Sequence, residues 1–193
     1  WLAVTRRPAS PRFGWDPAND TLAGPLVDRG DRRPWIAVHA NTETAQHYGY
    51  VKDWPADAWR RLFREMARRH DVRFVLLGHG REPAFDEPNV VDLRGRTGFL
   101  AMLALVRTRC TALVAPDGGI LNAVYFLDAE FPITVVSLWS DPRQGLLKAR
   151  SRSPNPGLVH VPLVGAGHDV RGIAPTDVLA ALEIAIVPRE GCA

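Results

Sequence analysis

Cysteine is nearly missing from this chain: 193 residues hold two, Cys110 and Cys192. They lie far apart, which argues against a disulfide framework and for a reducing compartment. Lysine is as scarce, with only Lys52 and Lys148. The remaining fixed cations are arginines spread along the whole length, without the interleaved aromatics of a base-stacking platform, so nucleic acid is not an expected partner. No apolar run approaches the roughly 20 residues of a membrane span, and the apolar opening at Trp1 is too short for a signal-peptide core. The expectation is a soluble, cytoplasmic protein. Several signatures are also missing. The loop after the first apolar strand reads Ala40-Asn41-Thr42-Glu43-Thr44 in place of Gly-x-Gly-x-x-Gly, which disfavours a nicotinamide or flavin enzyme. No Walker lysine motif and no Gly-x-Ser-x-Gly elbow occur. His39, His79, His160 and His168 are scattered, and neither His-x-x-x-His nor Cys-x-x-Cys appears, so no metal and no cofactor are expected.

What is present suffices for a core: 46% of the residues are apolar. A formal net charge of +3 admits an anionic ligand without identifying one. Residues 1–33 carry prolines at 8, 11, 17 and 25 and no sustained period, and read as an extended connector. Because the chain begins at Trp1 and not at methionine, a piece of a longer protein is expected. Residues 34–188 read as one domain and 189–193 as a tail.

Within that domain strands and helices alternate. Residues 35–39 form the first apolar run. Trp59, Leu62, Phe63 and Met66 then fall at helical spacing after Pro55, with arginines on the opposite face. Strands are expected at 72–77, 90–93, 112–115, 132–138 and 158–161. Helices are expected at 99–107, 120–127 and 175–185. This alternation predicts a parallel α/β sheet, Rossmann-like, with helices on both faces.

The chain is organised around residues 111–122, where a buried strand runs through Asp117-Gly118-Gly119 into a helix. In an open parallel sheet ligands bind outside the carboxyl ends of the strands, so the loops at 40–54, 78–88, 94–98 and 116–119 should converge on one crevice. The first offers hydroxyls at Thr42 and Thr44 and the ammonium of Lys52; the last offers backbone amides at Gly118 and Gly119. Hydroxyls and amides donate to phosphate oxygens and a cation offsets their charge, so the set describes a diphosphate cradle.

Lys52-x-Trp54-Pro55 opening the first helix, with Pro116-Asp117-Gly118-Gly119 after the fourth strand, resembles the donor-binding half of glycosyltransferase family 9, the heptosyltransferases of the two-domain GT-B fold. Arg94-Gly95-Arg96-Thr97 and Ser140-Asp141-Pro142 sit where that family has similar segments, and the likeness spans residues 34–187. The resemblance implies inverting transfer of a sugar from a nucleotide diphosphate, ADP-heptose in the best-known members, to a cell-surface glycan or glycolipid such as lipopolysaccharide. It implies that Lys52 and a threonine of its loop contact the diphosphate. Asp117 would bond sugar hydroxyls, and the Gly118 and Gly119 amides would hold phosphate. The segments from Gly78 to Glu82 and from Thr97 to Gly98 would line the nucleoside. It also places the acceptor site and the general base in an N-terminal domain not contained here, and leaves room for peripheral membrane association of the full-length enzyme. The fragment alone is then expected to bind donor without turning it over.

The chain departs from the family where members read Asp-Thr-Gly-x-x-His. Here Gly118 and Asn122 replace the hydroxyl and the imidazole, so the donor need not be ADP-heptose. Two other readings stay open: a noncatalytic nucleotide-binding or interaction module of the same fold, and a sugar-nucleotide epimerase, for which catalytic carboxylates and histidines are not assignable.

Overall fold

The computed structural model describes residues 11–28, 30–42 and 51–186. In chain order its elements are β1 (Phe13–Gly14), β2 (Trp35–Val38), α1 (Ala56–Arg69), β3 (Arg73–Leu76), β4 (Val90–Asp92), α2 (Phe99–Arg109) and β5 (Cys110–Pro116). There follow α3 (Gly119–Tyr125), β6 (Leu127–Asp128), β7 (Ile133–Trp139), α4 (Gly145–Ala149), β8 (Leu158–Val164) and α5 (Pro175–Ile186). The main sheet is parallel throughout, in the order β4-β3-β2-β5-β7-β8.

Strand side chains alternate between faces, and both faces are covered, so the central strands read as unbroken apolar runs. Trp35, Ala37, Val75, Leu113 and Val135 point to the layer of α2 and α3, where Leu103, Leu105, Leu121 and Val124 meet them. Ile36, Val38, Phe74, Leu76 and Val114 point to α1 and α5, against Trp59, Phe63, Met66 and Leu182. Trp59 is fully buried edge-on to Trp54 at 4.8 Å. The free Cys110 lies in this core, where burial pushes its thiol up to about 12 and leaves it unreactive.

Residues 13–26, expected to be extended, are folded onto the domain. Phe13–Gly14 pairs in parallel with β6, and Pro17–Leu26 forms a 3-10 helix that buries Ala23 against the α2 layer. Asp16 caps it by accepting from Ala18 N, and Arg107 of α2 pairs with Asp20. The 3-10 repeat of three residues gives no 3.6-residue period, so helix-pattern reading passes over it. The helix expected at 120–127 stops at Tyr125 because Leu127 and Asp128 are taken by β1.

β7 carries a buried polar relay. Trp139 Nε1 donates to Ser137 Oγ at 2.6 Å, and Ser137 Oγ lies 2.7 Å from His160 Nε2 on β8. The hydroxyl accepts from the indole and keeps its own proton to give to the imidazole, and burial of the ring favours the neutral form that accepts it. Burial pushes the His160 pKa below its ordinary value, and the Tyr125 ring packs edge-on to it at 5.0 Å. The unfolded chain thus takes up a proton near pH ~6.5 that the native chain refuses, and stability falls as pH drops below that point. Replacing His160 with Gln should flatten the fall in melting temperature between about pH 7.5 and about pH 5.5. Equal falls in both proteins would show that the relay does not titrate as described.

β8 closes one side of the sheet, with Pro162 and the exposed Val164 in it, and the three-residue β4 closes the other.

Candidate functional site

From β2 the chain builds outward through β3 to β4, then returns to the other side of β2 through β5, β7 and β8. The loops leaving β2 and β5 therefore diverge, and a crevice opens between their carboxyl ends. A cavity of about 350 Å³ lies there. Its polar lining is His39, Asn41 and Thr42 after β2, His79 after β3, and Thr97; its apolar lining is Phe99, Met102 and Ile120. Gly78, Gly98, Gly118 and Gly119 complete the wall with bare backbone. An apolar floor with a few convergent polar groups suits one planar, polar-edged molecule. A larger cleft of about 760 Å³ lies over the arginine-bearing face of α1, and no residue of the loops after β2 or β5 lines it.

Lys52 and Asp117 are 65 positions apart in sequence, yet Lys52 Nζ is 3.4 Å from Asp117 Oδ2. The lysine side chain is only 8% exposed and the aspartate 16%. An ammonium this buried is held in place by its surroundings, and an anion reaching it would meet little competing water. Neither residue of the pair lines the cavity itself; their chain neighbours connect them to it, since Gly118 of the lining follows Asp117, and Asp53, next to Lys52, accepts from Thr42 N at 2.6 Å and Thr42 Oγ1 at 2.8 Å.

That clasp changes the reading of two residues. By sequence Asp53 reads as a charge favouring the start of α1, whereas its carboxylate ties the chain at Thr42 to the chain beside Lys52. Thr42, expected to offer a hydroxyl to phosphate, has its proton engaged by Asp53 and presents Cγ2 toward residue 118. A Cβ at Gly118 would come within 3.3 Å of that methyl, so glycine at 118 and threonine at 42 fit each other. Thr44 lies outside the described residues.

The other expected site residues divide. Gly78 adopts φ +129°, and a Cβ there would meet His39 Cδ2 at 3.2 Å, so only glycine lets the β3 loop turn against the cavity. Thr97 and Gly98 line the cavity, and Thr97 Oγ1 is buried without a hydrogen-bond partner among the described residues. Gly119 is exposed at the start of α3, where first-turn amides lack intrahelical acceptors. Asn122 turns back on its own helix, donating to Gly118 O at 2.9 Å, and Glu82 is exposed; neither lines the cavity. Arg94 is fully buried as a strut. It makes a two-point bond to Asp92 at 3.0 and 2.8 Å and donates to Pro83 O at 2.9 Å, fixing the loop after β3 to the end of β4. Burial opposes ionisation of Asp92, but the Arg94 bonds outweigh it and hold the carboxyl below its ordinary range. At the end of β7, hydrogen bonds from Arg143 hold Asp141 well below the usual carboxylate range.

Phe99, Met102 and Ile120 were read only as helix residues. What marks them is position: each lies in the first turn or so of a helix that starts at the strand-end rim, so it meets the crevice, Phe99 from an exposed position and Met102 and Ile120 from the edge of the core.

The strand order and the crevice define a Rossmann-type α/β domain. No protein-family model matches the sequence, and no curated protein sequence does. Among solved structures the chain is similar to E. coli ADP-heptose LPS heptosyltransferase II at 18% identity and a TM-score of 0.63, over 93% of this chain and 54% of that one. It is also similar to the E. coli heptosyltransferase WaaC with ADP at 16% identity and a TM-score of 0.55, over 79% of this chain and 44% of that one. The fold is thus the α/β arrangement found in glycosyltransferases of the heptosyltransferase type, and the chain spans about half the length of those structures.

Proposed function

We propose that the chain is the nucleotide-sugar-binding portion of an inverting GT-B glycosyltransferase. The observation that carries this reading is the meeting of Lys52 and Asp117 at the switch point of the sheet, beside a cavity of about 350 Å³. In it the base and ribose lie on Phe99, Met102 and Ile120, with the Thr97 hydroxyl available to a ribose or base edge. The diphosphate reaches toward Lys52 and the amides of Gly118 and Gly119. As the glycosidic bond to the sugar breaks, negative charge grows on the leaving diphosphate, and a preorganised buried ammonium stabilises that charge more than it stabilises the ground state. Asp117, beside the lysine, is placed to accept from sugar hydroxyls. Because α3 has only seven residues, its dipole adds little, and the lysine dominates.

Within this proposal the acceptor is a glycan or glycolipid held by a partner domain that also supplies the general base. The enzyme works in the cytoplasm on lipopolysaccharide or a related surface glycan, with peripheral contact to the membrane. ADP-heptose is the first donor to try, since one of the similar structures is a heptosyltransferase with ADP. A second reading, a nucleotide-binding module without transfer activity, is favoured by Asn122, whose amide is spent on Gly118 O.

Calorimetric titration with ADP, UDP and GDP tests the proposal. At least one should bind with submillimolar affinity; no heat from any of the three at millimolar concentration would overturn it. The second reading is separated by adding the upstream region and assaying transfer.

A further inference from the structure

The cation at the switch point sits on a short segment, and one of the bonds that attach it to the rest of the domain comes from a buried hydroxyl. Ser140, the residue after β7, is 5% exposed. Its Oγ donates to Val51 O and accepts from Val170 N at 3.2 Å. It therefore joins the end of β7, the residue before Lys52 and the 3-10 turn Val170–Gly172 at a single atom. Three residues on, Trp54 Nε1 donates to Ile173 O at 3.0 Å in a buried bond. Residues 51–54 are thus stitched at both ends to the turn that follows β8, with Lys52 between the stitches.

The first stitch acts on Lys52 in a specific way. The carbonyl of Val51 belongs to the planar peptide unit that ends at the Lys52 Cα, so fixing the oxygen places that Cα, and the Trp54 bond two residues on limits the backbone rotation that then sets where the side chain departs. A long side chain loses considerable rotamer freedom when its ammonium is held, and a backbone already oriented reduces what the bound state must impose. Ser140 itself does not line the cavity.

We infer that Ser140 is a positioning residue for Lys52, aiming its ammonium at the anionic part of the ligand. The inference rests on the donor-binding proposal above. It separates from a purely structural role because a lysine aimed at phosphate matters to a nucleoside diphosphate and not to the nucleoside.

The test is titration of ADP and adenosine, or of UDP and uridine should the wild-type chain prefer them, into wild type, Ser140→Ala, Ser140→Cys, Lys52→Ala and the Ser140→Ala/Lys52→Ala double variant. Loss of one hydrogen bond should weaken diphosphate binding about five- to tenfold in Ser140→Ala and leave the nucleoside unchanged. Ser140→Cys keeps the volume and a weak donor, should fall between, and serves where the alanine variant does not fold. On the Lys52→Ala background, Ser140→Ala should change diphosphate affinity no further. Equal weakening of diphosphate and nucleoside, or full additivity in the double variant, would overturn the inference while leaving the donor reading intact. Wild type binding none of ADP, UDP and GDP would instead remove the donor reading and this inference with it.

Discussion

Lys52→Ala is expected to lower nucleoside diphosphate affinity by about 10- to 100-fold while leaving nucleoside affinity within about twofold, since a charge-assisted hydrogen bond contributes roughly 1.5–3 kcal/mol. The size of the effect follows from burial. At 8% exposure the ammonium is poorly screened, so a phosphate oxygen reaching it gains more than it would from a surface lysine. The same change leaves Asp117, 16% exposed, without the lysine. Breaking a buried pair from one side costs about 3–5 kcal/mol in well-packed cases, and the 3.4 Å separation puts this pair at or below the lower end. Urea denaturation should therefore show a measurable loss of stability, and removing Asp117 as well should restore part of it. Lys52→Arg is not a neutral control, because a forked guanidinium must fit space shaped around a single ammonium. Unchanged diphosphate affinity in Lys52→Ala, with the protein folded, would take the phosphate away from this end of the crevice.

The largest stability effect should come from Gly165→Ala, at the end of β8. Its φ of −69° suits any residue, so the requirement is purely one of space. A Cβ there would lie 1.7 Å from Asp169 O and 2.5 Å from Asp169 C. Both are backbone atoms of the turn over residues 166–172, and that turn is closed from its other side by Gly172, whose own Cβ would come 2.8 Å from Ala166 N. Nothing can yield without opening the turn, which also carries the Val170 amide bonded to Ser140. A loss of at least ~4 kcal/mol is expected, a large part of the total for a domain of ~5–15 kcal/mol. In thermal melts that is a drop of about 8–16 °C. Gly119→Ala, where a Cβ meets nothing within 4 Å, should stay within ~0.5 kcal/mol of wild type. A Gly165→Ala melting temperature close to that of wild type would mean that the turn is not packed as described.

The layered sheet was legible because both its faces are apolar: runs such as Ile133–Trp139 leave little choice but a strand covered on two sides. The convergence of loops followed from parallel strand alternation alone, and so the nearness of Lys52 and Asp117 could be anticipated before their 3.4 Å separation was known. Other features left no local trace. The clasp of Asp53 on Thr42 spans 11 residues, and a carboxylate three positions before a helix reads equally well as a charge placed for its dipole. The five-residue α4 is shorter than one cycle of pattern reading can resolve, and the 3-10 helix over Pro17–Leu26 hides behind the prolines that break the usual periods. The bond made by Asn122 is a further case. Its side-chain amide lies four residues after Gly118, whose carbonyl already accepts from the Asn122 backbone amide, and it donates to that same oxygen at 2.9 Å.

The rims of the sheet restrict how this domain can meet other protein. β8 exposes Pro162, which has no amide proton to offer an incoming strand, and β4 supplies only three residues of ladder on the opposite flank. Neither side is a template for annealing another β-segment, either from a sister molecule or from a neighbouring domain. On these two flanks of the main sheet, contact through helices or the strand-end loops is therefore favoured over strand addition.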